Sequence, residues 1–285
     1  MDSIILAGGF AQRMAPTTNE APKHLLPVAG KPMLSYVLDS LEKFYSQGEG
    51  GTCYISINKK FEKDFKNFIK DYNCKMPLKL IVEDTLSEGQ KLGSVGALHE
   101  IFKKGVISTN PGVLVIGGDN IFSMKIRDFV KAFNLQGDYY KEKGIGEPPS
   151  LFAVYDLKSL KKARLYGTVG LTSSLNNSLV SKISFFKEKD DNPKSTMVST
   201  AIYLFSNSEI NKIGEYLSKS NGDAMGNFLE WILCNPKIVH ADKTSNLQSP
   251  RIFAIPFKGY WFDIGDHKSF EEANCFFRSK KNKDD

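Results

Sequence analysis

Gly8-Gly9 follows directly on the apolar run Ser3–Ala7, and Gln12 and Arg13 come just behind it. A glycine pair at the end of a buried strand lets backbone N–H groups approach an anion closely. Arg13 adds a guanidinium fork for phosphate oxygens, and Lys23 adds a mobile point charge. No GxxxxGK[ST] is present, so this is not a P-loop, and the dinucleotide pattern GxGxxG needs glycine where Gln12 and Arg13 stand. The spacing favours a phosphate site over an ordinary turn with surface cations. A second pair, Gly117-Gly118, ends the apolar run Val113–Ile116 and precedes Asp119, which in isolation reads as an Asx turn. Asp263 in Trp261-Phe-Asp-Ile-Gly265 reads, by itself, as a residue ahead of a helix capped by Asp266. Lys189 lies in Lys187-Glu188-Lys189-Asp190-Asp191, which by itself reads as a solvated loop.

These groups need elements to position them. Apolar runs predict strands at Ser3–Ala7, Cys53–Asn58, Leu78–Val82 and Val113–Ile116. Helical spacing places Met33, Leu34, Val37, Leu38, Leu41 and Phe44 on one face, with Pro32 suited to the first turn. Further helices are expected at Phe61–Tyr72 and Ser94–Phe102. Alternating strands and helices argue for a parallel sheet covered on both faces, with ligands beyond the carboxyl ends of the strands, where both glycine pairs fall. The polar stretch 134–150, with Gly144, Gly146, Pro148 and Pro149, reads as a loop. Beyond it the rhythm is β-rich, with strands at Leu151–Tyr155, Thr168–Leu171, Leu179–Phe186 and Val198–Phe205. Ser206 and Glu209 suggest a capping box opening a helix to Leu217. A helix over Asp223–Leu233, short strands near Ile238–His240, Phe253–Ile255 and Tyr260–Ile264, and a last helix after Asp266 complete the reading.

The opening LAGGFAQRM…PKHLLPVAGKPM resembles the signature of the sugar-1-phosphate nucleotidyltransferases, roughly LAGGxGTRLxPxTxxxPKxLLPVxxKPM. Leu92–Leu98 resembles that family's LGTAGAL segment, Gly118–Phe122 its GDN(I/V)F motif, and Tyr166–Val169 its YGVV. Glu188-Lys189 resembles EKP, Thr200–Tyr203 resembles TGIY, and Trp261–Gly265 resembles WxDxG. Each motif is weak alone; seven in the family's order are specific. The departures are Phe10-Ala11-Gln12 in a glycine-rich turn, Asp190 for a proline and Ala201 for a glycine.

The resemblance implies a Rossmann-like α/β fold, with a mostly parallel central sheet flanked by helices and a β-rich sugar-binding elaboration. It implies one domain over 1–285, with a nucleotide half at 1–133 and a sugar-phosphate half at 150–278. It implies transfer of a nucleotidyl group from a nucleoside triphosphate to a sugar 1-phosphate, releasing pyrophosphate. Leu6, Ala7, Gly8, Gly9, Arg13, Lys23, Gly93 and Asp119 would bind the nucleotide, with Arg13 and Lys23 catalytic. Gly167, Glu188 and Lys189 would bind the sugar phosphate, and Asp119 and Asp263 would hold Mg²⁺. The GDNIF form favours dTTP or UTP with glucose 1-phosphate, and LAGGFA and LGSVGAL keep mannose-1-phosphate guanylyl transfer as the alternative. Glu83, Asp84, Glu88 and Gln90 are the candidates to read the base. A non-catalytic nucleotide-sugar-binding regulator is the reading of another class, disfavoured because Arg13, Lys23, Asp119, Lys189 and Asp263 all persist.

Composition sets the outer bounds. The chain has 285 residues, 41% hydrophobic and 25% charged, which is too apolar for disorder. The +6 net charge is spread among acids rather than gathered with stacking aromatics, so nucleic acid is not an expected partner. No run is long enough for a membrane span, and the start lacks the basic segment of a secretory signal. Cys53, Cys74, Cys234 and Cys275 are dispersed, as in a reduced cytoplasmic protein. A second copy of the chain stays among the candidate partners.

Overall fold

The computed structural model describes residues 1–15, 21–144, 146–174, 179–220, 224–234 and 252–284. The strands in chain order are β1 Ser3–Leu6, β2 Pro27–Val28, β3 Lys31–Pro32, β4 Cys53–Asn58, β5 Leu78–Glu83, β6 Val113–Gly117 and β7 Asn120–Phe122. They continue as β8 Ser150–Asp156, β9 Gly167–Ser174, β10 Ser181–Glu188, β11 Met197–Phe205, β12 Ile252–Phe257 and β13 Trp261–Asp263. The helices are α1 Met33–Phe44, α2 Glu62–Asp71, α3 Gly93–Lys103, α4 Ile126–Glu142 and α5 Leu160–Ala163. After these come α6 Asn207–Ile210, α7 Ile213–Lys219, α8 Met225–Cys234 and α9 His267–Asp284. Among the described residues no helix is long and apolar enough to cross a membrane.

Packing divides the chain into two compact units. The terminal unit holds Asp2–Gly93, Ile116–Ser123 and Gly259–Asp285, and the central unit holds Ser94–Val115 and Met124–Lys258. In the terminal unit, β5, β4 and β1 lie side by side and parallel, with Ser3 opposite Cys53 and Cys53 opposite Leu78. All six residues of β4 are buried, as expected of a parallel strand covered on both faces. The predicted apolar face of α1 is the buried one: Met33, Leu34, Val37, Leu38, Leu41 and Phe44. Pro32 stands just ahead of that helix, as its N-terminal flank.

The hairpin-like pair β7 and β13 is antiparallel, with Asn120 opposite Asp263 and Phe122 opposite Trp261. It rests on a cluster of Met14, Leu26, Val28, Met33, Ile121, Ile264 and Ala273. Asp266 caps α9 as the sequence suggests, its Oδ1 accepting from the Ser269 amide at 2.8 Å. Asn274 on that helix is buried and accepts from the Ala29 amide at 2.8 Å, pinning β2 to α9.

The central unit is β-rich. β8 pairs parallel with β12 and antiparallel with β11, while β10 is antiparallel to both β12 and β9.

Two expectations need correction. The stretch 134–150 is not wholly a loop, because α4 runs on to Glu142. Ile126, Phe129, Val130, Ala132 and Phe133 anchor its first half, and the helix then propagates through residues whose polarity only marks a solvated surface. The helix from Ser206 breaks into α6 and α7, and Ser206 makes no side-chain cap. Its hydroxyl instead donates to buried Glu209 Oε2 at 2.6 Å, where Ser150 Oγ also donates, at 2.5 Å. The strand expected near Ile238–His240 and the start of the helix at Asp223 lie outside the described residues.

Between Ser199 and Tyr203, β11 spends four steps while β8 spends two, from Val154 to Phe152, so the strand bulges. Ala201 sits in this bulge with φ +53°, a left-handed conformation where the family pattern carries glycine. Ala201→Gly is therefore expected to raise unfolding free energy by about 1 kcal/mol. Urea unfolding of both proteins checks this.

Candidate active site

The first glycine turn is built by what lies beneath it. A Cβ on Gly8 would fall 2.7 Å from Glu83 Oε1, so any larger residue here would have to displace this carboxylate. Buried Ser56 donates to the same Glu83 oxygen at 2.7 Å. Asn58 Nδ2 donates to the Gly8 carbonyl at 3.3 Å, while Asn58 Oδ1 accepts from the Phe61 amide. The Ala7 amide donates to Ser56 O at 2.8 Å, locking Leu6 and Ala7 to β4. Gly9 faces open space. Ala11 then takes φ +50° where the family pattern again has glycine, and starts the single turn Gln12–Met14. Met14 is buried, which leaves Arg13 exposed. The guanidinium lies over Gly265, where a Cβ would meet Nη2 at 3.0 Å.

The second glycine turn comes to the end of β1. The Gly118 amide donates to Leu6 O at 2.9 Å, and a Cβ there would meet both Leu6 O and His24 Cδ2 at 3.0 Å. The Asp119 carboxylate accepts from Lys23 Nζ at 2.7 Å, with 8% of the lysine side chain and 27% of the aspartate exposed. Its other oxygen accepts from Asn120 Nδ2 at 2.8 Å, and Asn120 Oδ1 accepts from Trp261 Nε1 at 2.7 Å. Trp261, Asn120, Asp119 and Lys23 thus form one chain of hydrogen bonds. The Ile264 amide donates to Asp119 O at 3.0 Å, which fixes Asp263 beside it.

The charges are unevenly tuned. Burial, and then the charge of Asp119, push the Asp263 carboxyl up to about 7 against the opposing pull of Lys23 and Arg13. For Asp119 burial also acts upward, but Lys23 outweighs it and holds the carboxyl below its usual range. Burial and the Lys23 charge press His24 down to about 3, so it is a neutral imidazole. Two crowded carboxylates with repulsion left over suit a hard divalent cation. Among the described residues no group of three or more acidic, histidine or cysteine side chains could hold a metal ion. A cation at Asp119 and Asp263 would take its other ligands from phosphate oxygens and water, which is how Mg²⁺ is usually bound.

The sugar-phosphate candidates gather separately, in the central unit. Cβ atoms on Gly167 and Gly226 would fall 2.8 Å and 1.8 Å from Glu188 Oε2, so two glycines make room for that carboxylate. Burial raises its pKa, Lys189 opposes this, and Glu230 adds to it. Lys189 is exposed and has φ +47°, with its amide donating to Tyr166 O at 3.1 Å. Gly93 begins α3 at φ +69°.

Of the base-reading candidates, Glu83 alone is buried. Asp84 pairs with Lys59 and Glu88 with Lys91, while Gln90 Oε1 accepts from the Leu86 amide at 2.9 Å. Ser56, Asn58, Asn120 and Gly226 were not singled out from sequence. Only Asn120 carried a signal there, as the Asn of Gly118-Asp119-Asn120.

Residues 2–280 match the model of the nucleotidyl transferase family, and the chain belongs to that family. The bifunctional protein GlmU of Methanocaldococcus jannaschii is 27% identical over 284 residues, covering 100% of this chain and 56% of that protein. A putative mannose-1-phosphate guanyltransferase of Sulfolobus acidocaldarius is 28% identical, covering 96% of this chain and 62% of that one. The chain therefore spans somewhat over half the length of these relatives. A crystal structure of a putative glucose-1-phosphate thymidylyltransferase from Bacillus anthracis superposes with TM-score 0.71 at 24% identity, over 97% of this chain and 94% of that one. The α/β fold read from sequence is thus shared with this structural neighbour.

The raised Asp263 pKa has a sign that can be tested. The folded chain holds a proton at Asp263 that the unfolded chain releases near the ordinary value of 3.8, so this group's contribution falls as pH rises toward about 7. Metal-free protein is expected to lose thermal stability between about pH 4 and pH 7, with Mg²⁺ restoring more at the higher pH. In Asp263→Asn both responses should flatten. Thermal unfolding of the two proteins with and without Mg²⁺ is the measurement.

Proposed function

We propose that this chain transfers a nucleotidyl group from a nucleoside triphosphate to a sugar 1-phosphate. The observation that carries the reading is the Lys23–Asp119 ion pair with the Asp263 carboxyl beside it, at the ends of the strands that carry the two glycine turns. The acceptor phosphate oxygen bonds to the α-phosphorus as the bond to the pyrophosphate oxygen breaks. Two polyanions must meet, so charge neutralisation is the main demand. The N–H groups of the Gly8-Gly9 turn and Arg13 receive the triphosphate, and Arg13 holds the departing pyrophosphate. Lys23, fixed by Asp119, presents its ammonium to the α-phosphate. Mg²⁺ held by Asp119 and Asp263 would neutralise phosphate charge. Gly167, Glu188 and Lys189 hold the sugar phosphate, with Glu188 accepting a hydroxyl. No general base is needed, since the phosphate is already ionised near neutral pH. Alignment and electrostatics supply the rate. Asp119→Asn and Asp263→Asn should each lower turnover by on the order of 100-fold or more while the fold persists, read as pyrophosphate release. Near-full activity in either would remove that residue from the role, and a wild type that releases no pyrophosphate with any nucleotide and sugar 1-phosphate would favour a regulatory binder.

The base is the finer question. Gln90, whose amide could complement the N3–H and flanking carbonyls of a pyrimidine, spends its oxygen on its own turn, whereas the Glu83 carboxylate lies buried against Gly8. A fixed carboxylate complements the adjacent N1–H and N2–H donors of guanine. We therefore place GTP with mannose 1-phosphate ahead of dTTP or UTP with glucose 1-phosphate. The wild type should show its highest kcat/KM with GTP, and Glu83→Gln should lower that value by at least about tenfold relative to UTP. A wild type that prefers UTP or dTTP restores the pyrimidine reading.

A further inference from the structure

Two cations reach the two-carboxylate corner, and they are held differently. Lys23 is buried, with its ammonium locked on Asp119 at 2.7 Å. Arg13 is exposed, yet its guanidinium lies across Gly265. A Cβ at 265 would meet Nη2 at 3.0 Å, Cζ at 3.6 Å and Nη1 at 4.0 Å. Gly265 is not one of the left-handed glycines, so its turn does not demand the residue. What the missing side chain supplies is room for the guanidinium.

The packing explains why the two segments meet. Met14 follows Arg13 and Ile264 precedes Gly265, and both are buried in one apolar cluster. The turn Gln12–Met14 is thereby seated against Asp263–Asp266. The Gly265 amide donates to Asp263 O at 3.1 Å, and Asp266 is fixed by its capping bond with Ser269. In sequence a carboxylate thus stands on either side of Gly265, and both feel the charge of Arg13. Burial and Asp119 push the Asp263 carboxyl up, and Arg13 opposes them together with Lys23. The Ser269 amide chiefly, and Arg13 with it, hold the Asp266 carboxyl below its usual range.

We propose that Gly265, Asp263 and Asp266 form a berth where Arg13 waits as an internal counter-ion, to be released toward the triphosphate once a divalent cation sits at Asp119 and Asp263. The proposal deepens the reading above and rests on its metal and phosphate sites. Gly265 and Asp266 become positioning residues that act through Arg13. A divalent charge at the corner turns the berth from attractive to repulsive for a guanidinium. By reciprocity, a guanidinium in the berth weakens cation binding.

The test is Mn²⁺ binding by the whole chain without nucleotide, with the free aquo ion followed by EPR. Arg13→Gln should tighten binding by about fivefold, because the competing internal charge is gone. Gly265→Ala changes no charge but crowds the guanidinium, and should tighten binding by about twofold. In an Arg13→Gln background the same Gly265→Ala change should have no further effect. The Arg13 Nε–H NMR signal, assigned by its loss in Arg13→Gln, should move when Mg²⁺ alone is added. In Asp266→Asn, which keeps a side chain able to cap α9, that signal should already lie nearer its released position. Unchanged Mn²⁺ affinity in Arg13→Gln, a Gly265→Ala effect that persists without Arg13, or an Arg13 signal indifferent to Mg²⁺ would each overturn the proposal. Absence of Mn²⁺ binding in every variant would overturn it along with the metal site. Pyrophosphate release is read separately, so an active wild type without these responses loses the berth and keeps the transfer reading. An inactive wild type with them keeps the berth and loses the transfer reading.

Discussion

Two aspartates far apart in sequence share one half-buried corner, and their mutual repulsion is the constraint on which the site's architecture turns. Asp119 is held by Lys23 and by the side-chain amide of Asn120, while Asp263 has no comparable partner among the described residues and is forced upward in pKa. Left alone, such a pair would pull β7 and β13 apart. Packing opposes this: Ile121 and Ile264 are buried on either side, and Trp261 closes the hydrogen-bond chain through Asn120. Lys23 is buried against the half-buried Asp119, whose charge pairs with its own. His24 fills the space behind as a neutral ring, and Gly118 yields to it.

The first glycine turn is organised on a related principle, with a carboxylate beneath the backbone rather than beside it. Ser56, Glu83 and Asn58 form a polar floor under Gly8, so the loop is shaped before any ligand arrives. Backbone strain is tolerated in each of the two units. Ala11 and Ala201 both adopt left-handed backbone at positions where the family pattern has glycine. Each saves backbone freedom in the unfolded chain and pays for it in a conformation that a side chain disfavours.

Much of this was legible in the residues. The periodicity of Met33–Phe44 and the unbroken apolar run Cys53–Asn58 specify a helix and a buried strand at those places, and both are there. The glycine pairs, Lys23, Asp119 and Asp263 stood out by type and order, and the terminal unit brings them together. What escaped notice was what depends on distant partners. Helix α4 carries polar residues beyond Phe133 because its outer turns face solvent, and composition alone cannot tell that from a loop. Ser56 looks like any strand serine until Glu83 lies across from it, and Gly226 has no visible purpose until Glu188 is placed against it.

The pairing of β7 with β13 also sets an order of events during synthesis. Asp119 and Lys23 leave the ribosome long before Asp263, and the cluster under the pair is closed by Ile264 and by Ala273 on α9. Until Asp263 is synthesised, the nascent chain therefore holds Lys23 and Asp119 with no second carboxylate to set beside them. The anionic corner is completed only when the segment carrying Asp263 folds back on β7, so a nascent chain that stops short of it has no two-carboxylate centre with which to capture a divalent cation.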